Sequence, residues 1–178
     1  VTRRQILEPK EEKNLRSGIP SLEESRDKVS SNVQRQYEEN PYPRWVSTGV
    51  RSNPRTISQV IKELRLRVNS AKIYKVDTPD ILIAGCGTGQ HSINVARRFK
   101  DSSVLAVDLS LRSLAYAKRK TQELKIDNVQ YMQGNILNIN KVDRKFDIIE
   151  SVGVLHHMEK PISGWKALID CLKPGGLI

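Results

Sequence analysis

The hydrophobic positions of the chain follow two different patterns, and the change between them falls near residue 76. Before it, apolar residues three or four positions apart mark single faces of helices. A narrow stripe predicts a first helix, opened by Ser21 and Glu24 at capping-box spacing and ended by Pro41, with an apolar face of Val29, Val33 and Tyr37. A wider stripe predicts a second helix whose core-facing positions are Ile57, Val60, Ile61, Leu64 and Val68.

After residue 76, short apolar runs alternate with amphipathic stretches. The runs predict strands at 81–84, 102–107, 129–132 and 146–152, and helices are expected at 92–99 and at 111–125, the latter capped by Ser110. A last helix is expected to end at Pro174-Gly175-Gly176, ahead of a fifth strand, with an inward face of Ile162, Trp165, Leu168, Ile169 and Leu172. This alternation predicts an α/β fold with a doubly wound, mainly parallel sheet.

The two patterns divide the chain into a helical linker or cover segment, 1–75, and an α/β domain, 76–178. The first residue is Val1 rather than methionine, and the chain stops at Ile178 just as the fifth apolar run begins. We therefore expect a fragment, with the domain truncated at its fifth strand and the later C-terminal strands missing.

Composition narrows the class of protein only slightly. Lys and Arg number 30 and Asp and Glu 20, a net charge of +10 that resides mostly in residues 1–75. This excess fits either a solvated basic surface or a nucleic-acid partner, although no basic run is interleaved with aromatic residues. Cys86 and Cys171 lie far apart without metal-ligand spacing, so we expect both to be reduced, a cytoplasmic location and no metal. No stretch approaches the roughly 20 apolar residues of a membrane span.

Candidate functional residues cluster where the predicted strands end, which is the edge at which doubly wound sheets bind ligands. The clusters are Gly85–Gly89, Asp108, Gly134-Asn135 and Glu150–His157. Glycines allow a ligand to approach the backbone, and a carboxylate after the second strand suits the two hydroxyls of a ribose. For Asp108 taken alone, a loop cap is the alternative interpretation.

The glycine spacing distinguishes between nucleotide ligands. A dinucleotide fingerprint would place a third glycine three positions after Gly87, where the chain has Gln90. The observed pattern is G-x-G-x-G, and no P-loop lysine is present. Both dinucleotide and P-loop interpretations are therefore disfavoured.

Several motifs in order resemble those of the class I S-adenosylmethionine-dependent methyltransferases, which have a Rossmann-like sheet. They are "ILIAGCGTGQ", "VDLS", "GNIL", "FDIIESVGVLHHM" and the turn "LKPGG". Together with "VQRQYEENPYPRW" in the first part, they resemble bacterial proteins in which tetratricopeptide repeats precede the methyltransferase domain. The resemblance implies S-adenosyl-L-methionine as cofactor and places the repeats in the missing N-terminal sequence.

The resemblance also implies a set of cofactor-binding residues, with the glycines along the methionine and ribose, Asp108 on the ribose and Leu109 on the adenine. The full set is Ala84, Gly85, Cys86, Gly87, Thr88, Gly89, Asp108, Leu109, Asn135, Ile136, Glu150, Ser151 and Val152. Two positions depart from the family pattern. Ile83 replaces an acidic residue that helps to hold the methionine amine, and Asn135 replaces an aspartate, although its amide oxygen can still accept a hydrogen bond.

The expected activity is methyl transfer by in-line displacement to an unidentified acceptor, with a protein or small molecule favoured and no membrane partner. His156 and His157 are candidate general bases, or they close the loop and pack structurally. Tyr37, Tyr42 and Trp45 either cover the site or dock the two parts of the chain. Two other functions stay open: methylation of RNA through the basic N-terminal segment, and a cofactor-binding scaffold without catalysis.

Overall fold

A parallel β-sheet forms the centre of the computed structural model, which describes residues 2–22, 38, 41–49 and 53–178. Within those residues the sheet has five strands in the order β3-β2-β1-β4-β5. Their bounds are β1 Asp80–Ala84, β2 Ser103–Asp108, β3 Val129–Gln133, β4 Phe146–Glu150 and β5 Leu172–Leu177. All neighbouring pairs are parallel, and the order reverses between β1 and β4. The predicted doubly wound sheet is confirmed.

The helices cover both faces of this sheet. They are α1 Glu8–Leu15, α2 Ile57–Glu63, α3 Gln90–Arg98, α4 Leu111–Glu123 and α5 Pro161–Asp170. The side chain of Ser110 accepts a hydrogen bond from the Ser113 amide at the start of α4, as predicted. In the described part of the chain, no helix is long and apolar enough to cross a membrane.

The two faces of the sheet carry separate hydrophobic cores because successive side chains of a strand point in opposite directions. Ile81 and Ile83 of β1 belong to one core, whereas Leu82 and Ala84 belong to the other. All four are at most 2% exposed. Burial on both faces explains why β1 reads as a continuous apolar run in the sequence.

The first part of the chain packs onto the first of these cores. Ile19, Ile57 and Ile73 are buried together with Ile81 and Ile83. Leu22 continues this attachment, since its amide donates to the Gln133 carbonyl of β3 at 2.7 Å. The helix predicted from Ser21 to Asn40, with the stripe of Val29, Val33 and Tyr37, lies outside the described residues except at its ends.

The helix predicted to continue through Val68 is shorter than expected. Thr56 begins α2 with a capping box, but the helix ends at Glu63, and Leu64 is 54% exposed. Arg65 adopts a φ of 52°, a left-handed conformation that turns the chain away from the helix axis. The prediction that Leu64 faces the core was therefore wrong.

The inward face predicted for the last helix is confirmed at Leu168 and wrong at three other positions. Ile162, Trp165 and Ile169 are 78%, 41% and 44% exposed, whereas Leu168 and Gly164 are buried. A Cβ on Gly164 would lie 2.4 Å from the sulfur of Met158, so the absence of a side chain lets this side of α5 approach its neighbours. Leu172 and the Pro174-Gly175-Gly176 segment belong to β5 rather than to a helix and the turn after it.

Candidate functional site

A cavity of about 350 Å³ opens at the carboxyl edge of the sheet, beside the reversal of strand order. Its volume lies at the lower end of the roughly 300–1,000 Å³ usual for small-molecule sites. The structure brings many of the predicted residues together in its wall, namely Gly85, Cys86, Gly87, Thr88, Asp108, Leu109, Asn135, Ile136, Val152 and His157. Ala84, Gly89, Glu150, Ser151 and His156 are not part of this wall.

The three glycines of the loop are required for different structural reasons. Gly87, with φ +51°, lines the cavity, and a Cβ on it would have no atom within 4 Å. Its bare backbone therefore faces open space that a ligand can occupy. A Cβ on Gly85 would lie 2.2 Å from Val154 Cγ2, and one on Gly89 would lie 2.4 Å from Ala117 Cβ. Gly85 is thus needed for the cavity wall and Gly89 for packing against α4.

Asp108 joins the glycine loop to the start of α4. One carboxylate oxygen accepts from the Gly87 amide at 2.7 Å, and the other accepts from the Ser110 amide at 2.9 Å. The structural and ligand roles weighed for this residue are compatible, because each carboxylate oxygen has two lone pairs. Burial raises the pKa of Asp108, and the Ser110 and Gly87 amides offset that increase only in part.

Two further predicted residues make structural hydrogen bonds at this edge of the sheet. Ser151 Oγ donates to the Ala84 carbonyl at 3.1 Å, which links the ends of β4 and β1. On the far side, Asn135 caps the 3₁₀ turn Ile136–Val142, and its side chain accepts from the Leu137 amide at 2.9 Å. The side-chain oxygen of Asn135 is the acceptor predicted for an adenine amino group.

His91 lines the cavity and was not predicted from the sequence. Its Nε2 lies 2.6 Å from Glu150 Oε2, so the two side chains form a pair across α3 and the end of β4. The sequence signal is the position of His91 in the first helical turn after "GCGTGQ". Glu150, predicted to border the cofactor, is paired with this histidine and is not itself part of the wall.

Residues 41–49, the strap, attach the N-terminal part to the glycine loop. Thr88 Oγ1 donates to the Pro43 carbonyl at 2.6 Å, and Trp45 Nε1 donates to the Thr88 carbonyl at 3.0 Å. Trp45 is 7% exposed, whereas Tyr42 and Pro43 line the cavity. Trp45 therefore docks the strap onto the glycine loop, whereas Tyr42 and Pro43 cover part of the cavity.

Only one of the two histidines predicted as general bases lines the cavity. His157 lines the cavity, and His156 does not, although the two rings lie with their centroids 4.0 Å apart. Both side chains are exposed.

The predictions for the two cysteines and for a metal concern other features of the chain. Cys86 and Cys171 are free thiols, and burial raises the pKa of Cys86. Among the described residues, no group of His, Cys, Asp and Glu side chains could hold a metal ion.

A glycine loop after β1, an acid after β2 and a cavity at the strand-order reversal define a Rossmann-like domain that binds a nucleoside cofactor. Residues 81–176, more than half of the chain, match the methyltransferase domain family, and the protein belongs to this family. S-adenosyl-L-methionine is therefore its cofactor. The bare Gly87 backbone and the Asp108 carboxylate in the wall fit such a ligand.

Known proteins share this domain in different contexts. An uncharacterized protein of Synechococcus is 37% identical over 101 residues, which are 56% of this chain and 24% of that protein. The structure of PKMT2 from Rickettsia typhi in complex with AdoHcy has 30% identity and a TM-score of 0.52 over 56% of this chain and 20% of that one. Magnesium protoporphyrin IX methyltransferase from Synechocystis, with bound SAM, shares the fold with a TM-score of 0.60 at 17% identity, over 85% and 75% of the chains. The chain thus spans a quarter or less of the first two proteins.

Proposed function

We propose that the protein transfers the methyl group of S-adenosylmethionine, by in-line displacement, to an acceptor that is a protein or a small molecule. The observation that supports this most directly is the cavity wall, where the open backbone of Gly87 lies beside the Asp108 carboxylate. When bound, the cofactor supplies the activated methyl group on its sulfonium. The protein then has to hold the cofactor, align the acceptor and exclude water.

The individual residues have separate roles in this proposal. Asp108 accepts hydrogen bonds from the ribose hydroxyls, and Leu109 and Ile136 pack on the adenine, whose amino group donates to Asn135. Gly85 and Gly87 lie along the ribose and methionine. Val152, two residues after the end of β4, borders the methyl-donating side.

The size of the cavity supports an acceptor that approaches from outside. At about 350 Å³ it has room for a small ligand such as the cofactor, so the acceptor atom has to enter through the open side. A protein side chain or a small molecule can do so. We further propose that tetratricopeptide repeats recruit this acceptor in the longer protein, and that the two free thiols reflect a cytoplasmic location.

Ion pairs where the N-terminal part meets α4 disfavour RNA as the acceptor. Arg44 pairs with Glu12 at 2.9 Å, and Arg119 pairs with Glu8 and Glu12 at 3.1 and 3.0 Å. These cations are therefore partly neutralised by the protein itself. A basic surface that serves RNA would keep such side chains available for phosphates.

Two experiments test the proposal in sequence. Isothermal titration calorimetry with S-adenosylmethionine is expected to show one saturable site, and no detectable heat would contradict the cofactor role. Methyl-labelled S-adenosylmethionine is then added with full-length protein to a lysate of cells that lack it. Label that is removed by protease, or that enters small molecules, supports the favoured acceptors, whereas label removed only by ribonuclease supports RNA. Failure to label any component would favour the non-catalytic scaffold.

A further inference from the structure

Glu150 is an unusual residue for its position. The four preceding residues of β4, Phe146–Ile149, are at most 6% exposed, and a carboxylate directly after them loses solvation energy that only hydrogen bonds or a charged partner can offset. In the strand register Glu150 lies beside Ile83 of β1. Partners in register point to the same side of a sheet, and Ile83 lines the cavity. The Glu150 carboxylate is thus on the cavity side, one strand away from Ile83.

The pairing of Glu150 with His91 orients this carboxylate. Oε2 lies 2.6 Å from His91 Nε2, and no described residue is hydrogen-bonded to Oε1. The two side chains are 23% and 36% exposed, and ion pairs at such exposure add little to stability. Orientation of a carboxylate at the edge of the cavity is therefore a better explanation of the pair than stability.

The cofactor presents a positive charge that needs such a group. Its methionine moiety carries an α-ammonium, which is bound most strongly by a carboxylate. Of the described residues in the cavity wall, Asp108 has the one acidic side chain, and the proposed function assigns its remaining lone pairs to the ribose hydroxyls. Ile83 is apolar. Glu150, which pairs with His91 of the cavity wall, is a second carboxylate close to this site.

We propose that Glu150 accepts the α-ammonium group of the cofactor through Oε1, while His91 holds Oε2 as a positioning residue. This inference rests on the proposed function, because it assigns a binding residue to the α-ammonium group of the same cofactor. It means that the carboxylate for the amine has moved from β1, where this chain has Ile83, to the adjacent position on β4.

The test is calorimetry with two ligands, S-adenosylhomocysteine and its deamino analogue, in which hydrogen replaces the α-amino group. Glu150→Gln is expected to weaken S-adenosylhomocysteine binding roughly tenfold, as for loss of a charge-assisted hydrogen bond. The affinity for the deamino analogue is expected to be unchanged, since the amide keeps the volume and the contact with His91. Glu159→Gln, an exposed residue outside the cavity wall, is the matched control and should alter neither affinity.

The role of His91 is tested through the same pair of ligands. His91→Ala should weaken binding of S-adenosylhomocysteine about threefold to fivefold, and His91→Gln, which keeps a donor for Glu150, should restore most of that loss. Equal loss for both ligands in Glu150→Gln would show a merely structural role and overturn the inference. Unchanged affinity of that variant for S-adenosylhomocysteine would overturn it as well. A wild-type protein that binds neither ligand would instead contradict the proposed function.

Discussion

Acidic side chains at the two edges of the sheet have different partners and opposite pKa shifts. At the amino edge, Lys173 Nζ lies 3.0 Å from Asp80 and 2.8 Å from Asp147, and Arg144 also pairs with Asp80. Burial alone would raise the pKa of Asp80, but the hydrogen bonds from Arg144 and Lys173 lower it overall. At the carboxyl edge, burial raises the pKa of Asp108, whose oxygens accept from backbone amides and have no paired cation among the described residues.

The difference separates stability from binding. A carboxylate neutralised by two cations favours the folded state and has little remaining affinity for a ligand. A buried carboxylate without a cation disfavours the folded state when ionised, and its remaining lone pairs suit neutral hydroxyl donors. The amino edge of this sheet therefore holds the strands together, whereas the carboxyl edge keeps polar groups available for the cofactor.

The largest expected effect is a loss of stability that differs between two glycines of the carboxyl edge, Gly89 and Gly87. Gly89→Ala should lower the free energy of unfolding by about 2–4 kcal/mol, because its Cβ would overlap Ala117 in a left-handed conformation. Gly87→Ala, in open space, should cost only about 1–2 kcal/mol of strain but should reduce cofactor affinity. Urea unfolding and calorimetry of both variants provide the comparison. Equal stability losses would show that the two glycines have the same role.

The next effect concerns the ribose carboxylate. Asp108→Ala should weaken S-adenosylmethionine binding by about 10- to 150-fold, which corresponds to the roughly 1.5–3 kcal/mol of a charged hydrogen bond. Calorimetry measures this loss, and Asp127→Ala, at an exposed position, is the control. Unchanged affinity in Asp108→Ala would refute the ribose role.

A smaller effect is expected at the amino edge. Asp80→Asn should lower the free energy of unfolding by about 1 kcal/mol, because the ion pairs it loses are partly exposed. Cofactor affinity should stay at the wild-type value. Asp77→Asn, an exposed neighbour, should change neither quantity. A loss of cofactor affinity in Asp80→Asn would contradict the assignment of stability to the amino edge and of binding to the carboxyl edge.

The smallest effects appear in pH dependence and have opposite signs. The pKa of Asp80 is lowered by folding, so its contribution to stability is present at neutral pH and is lost as pH falls through the folded pKa. The pKa of Asp108 is raised, so its contribution is present at low pH and is lost as pH rises through the folded pKa. Cofactor affinity should therefore begin to fall, on acidification, above the ordinary aspartate range. Calorimetry between pH 4 and 7 tests this, and Asp108→Asn should remove that dependence.

Much of the fold was predictable because it depends on residues close together in the chain. Burial on both faces makes β1 a continuous apolar run, and a left-handed glycine or a capping serine acts on neighbours within a few positions. These local rules located β1 to β4, the start of α4 at Ser110 and the carboxylate after β2. They also placed the glycine loop at the edge of the sheet where the cavity lies.

Other features were decided only when distant parts of the chain came together. Two sides of α5 are apolar, and the close approach allowed by Gly164 selects which one is buried. Gly89 serves packing rather than the cavity because Ala117 of α4 lies against it. His91 and Glu150 are 59 residues apart, and they meet because β4 pairs with β1 directly in front of α3. Sequence spacing determined which residues end each strand, and tertiary contacts determined which of them line the cavity.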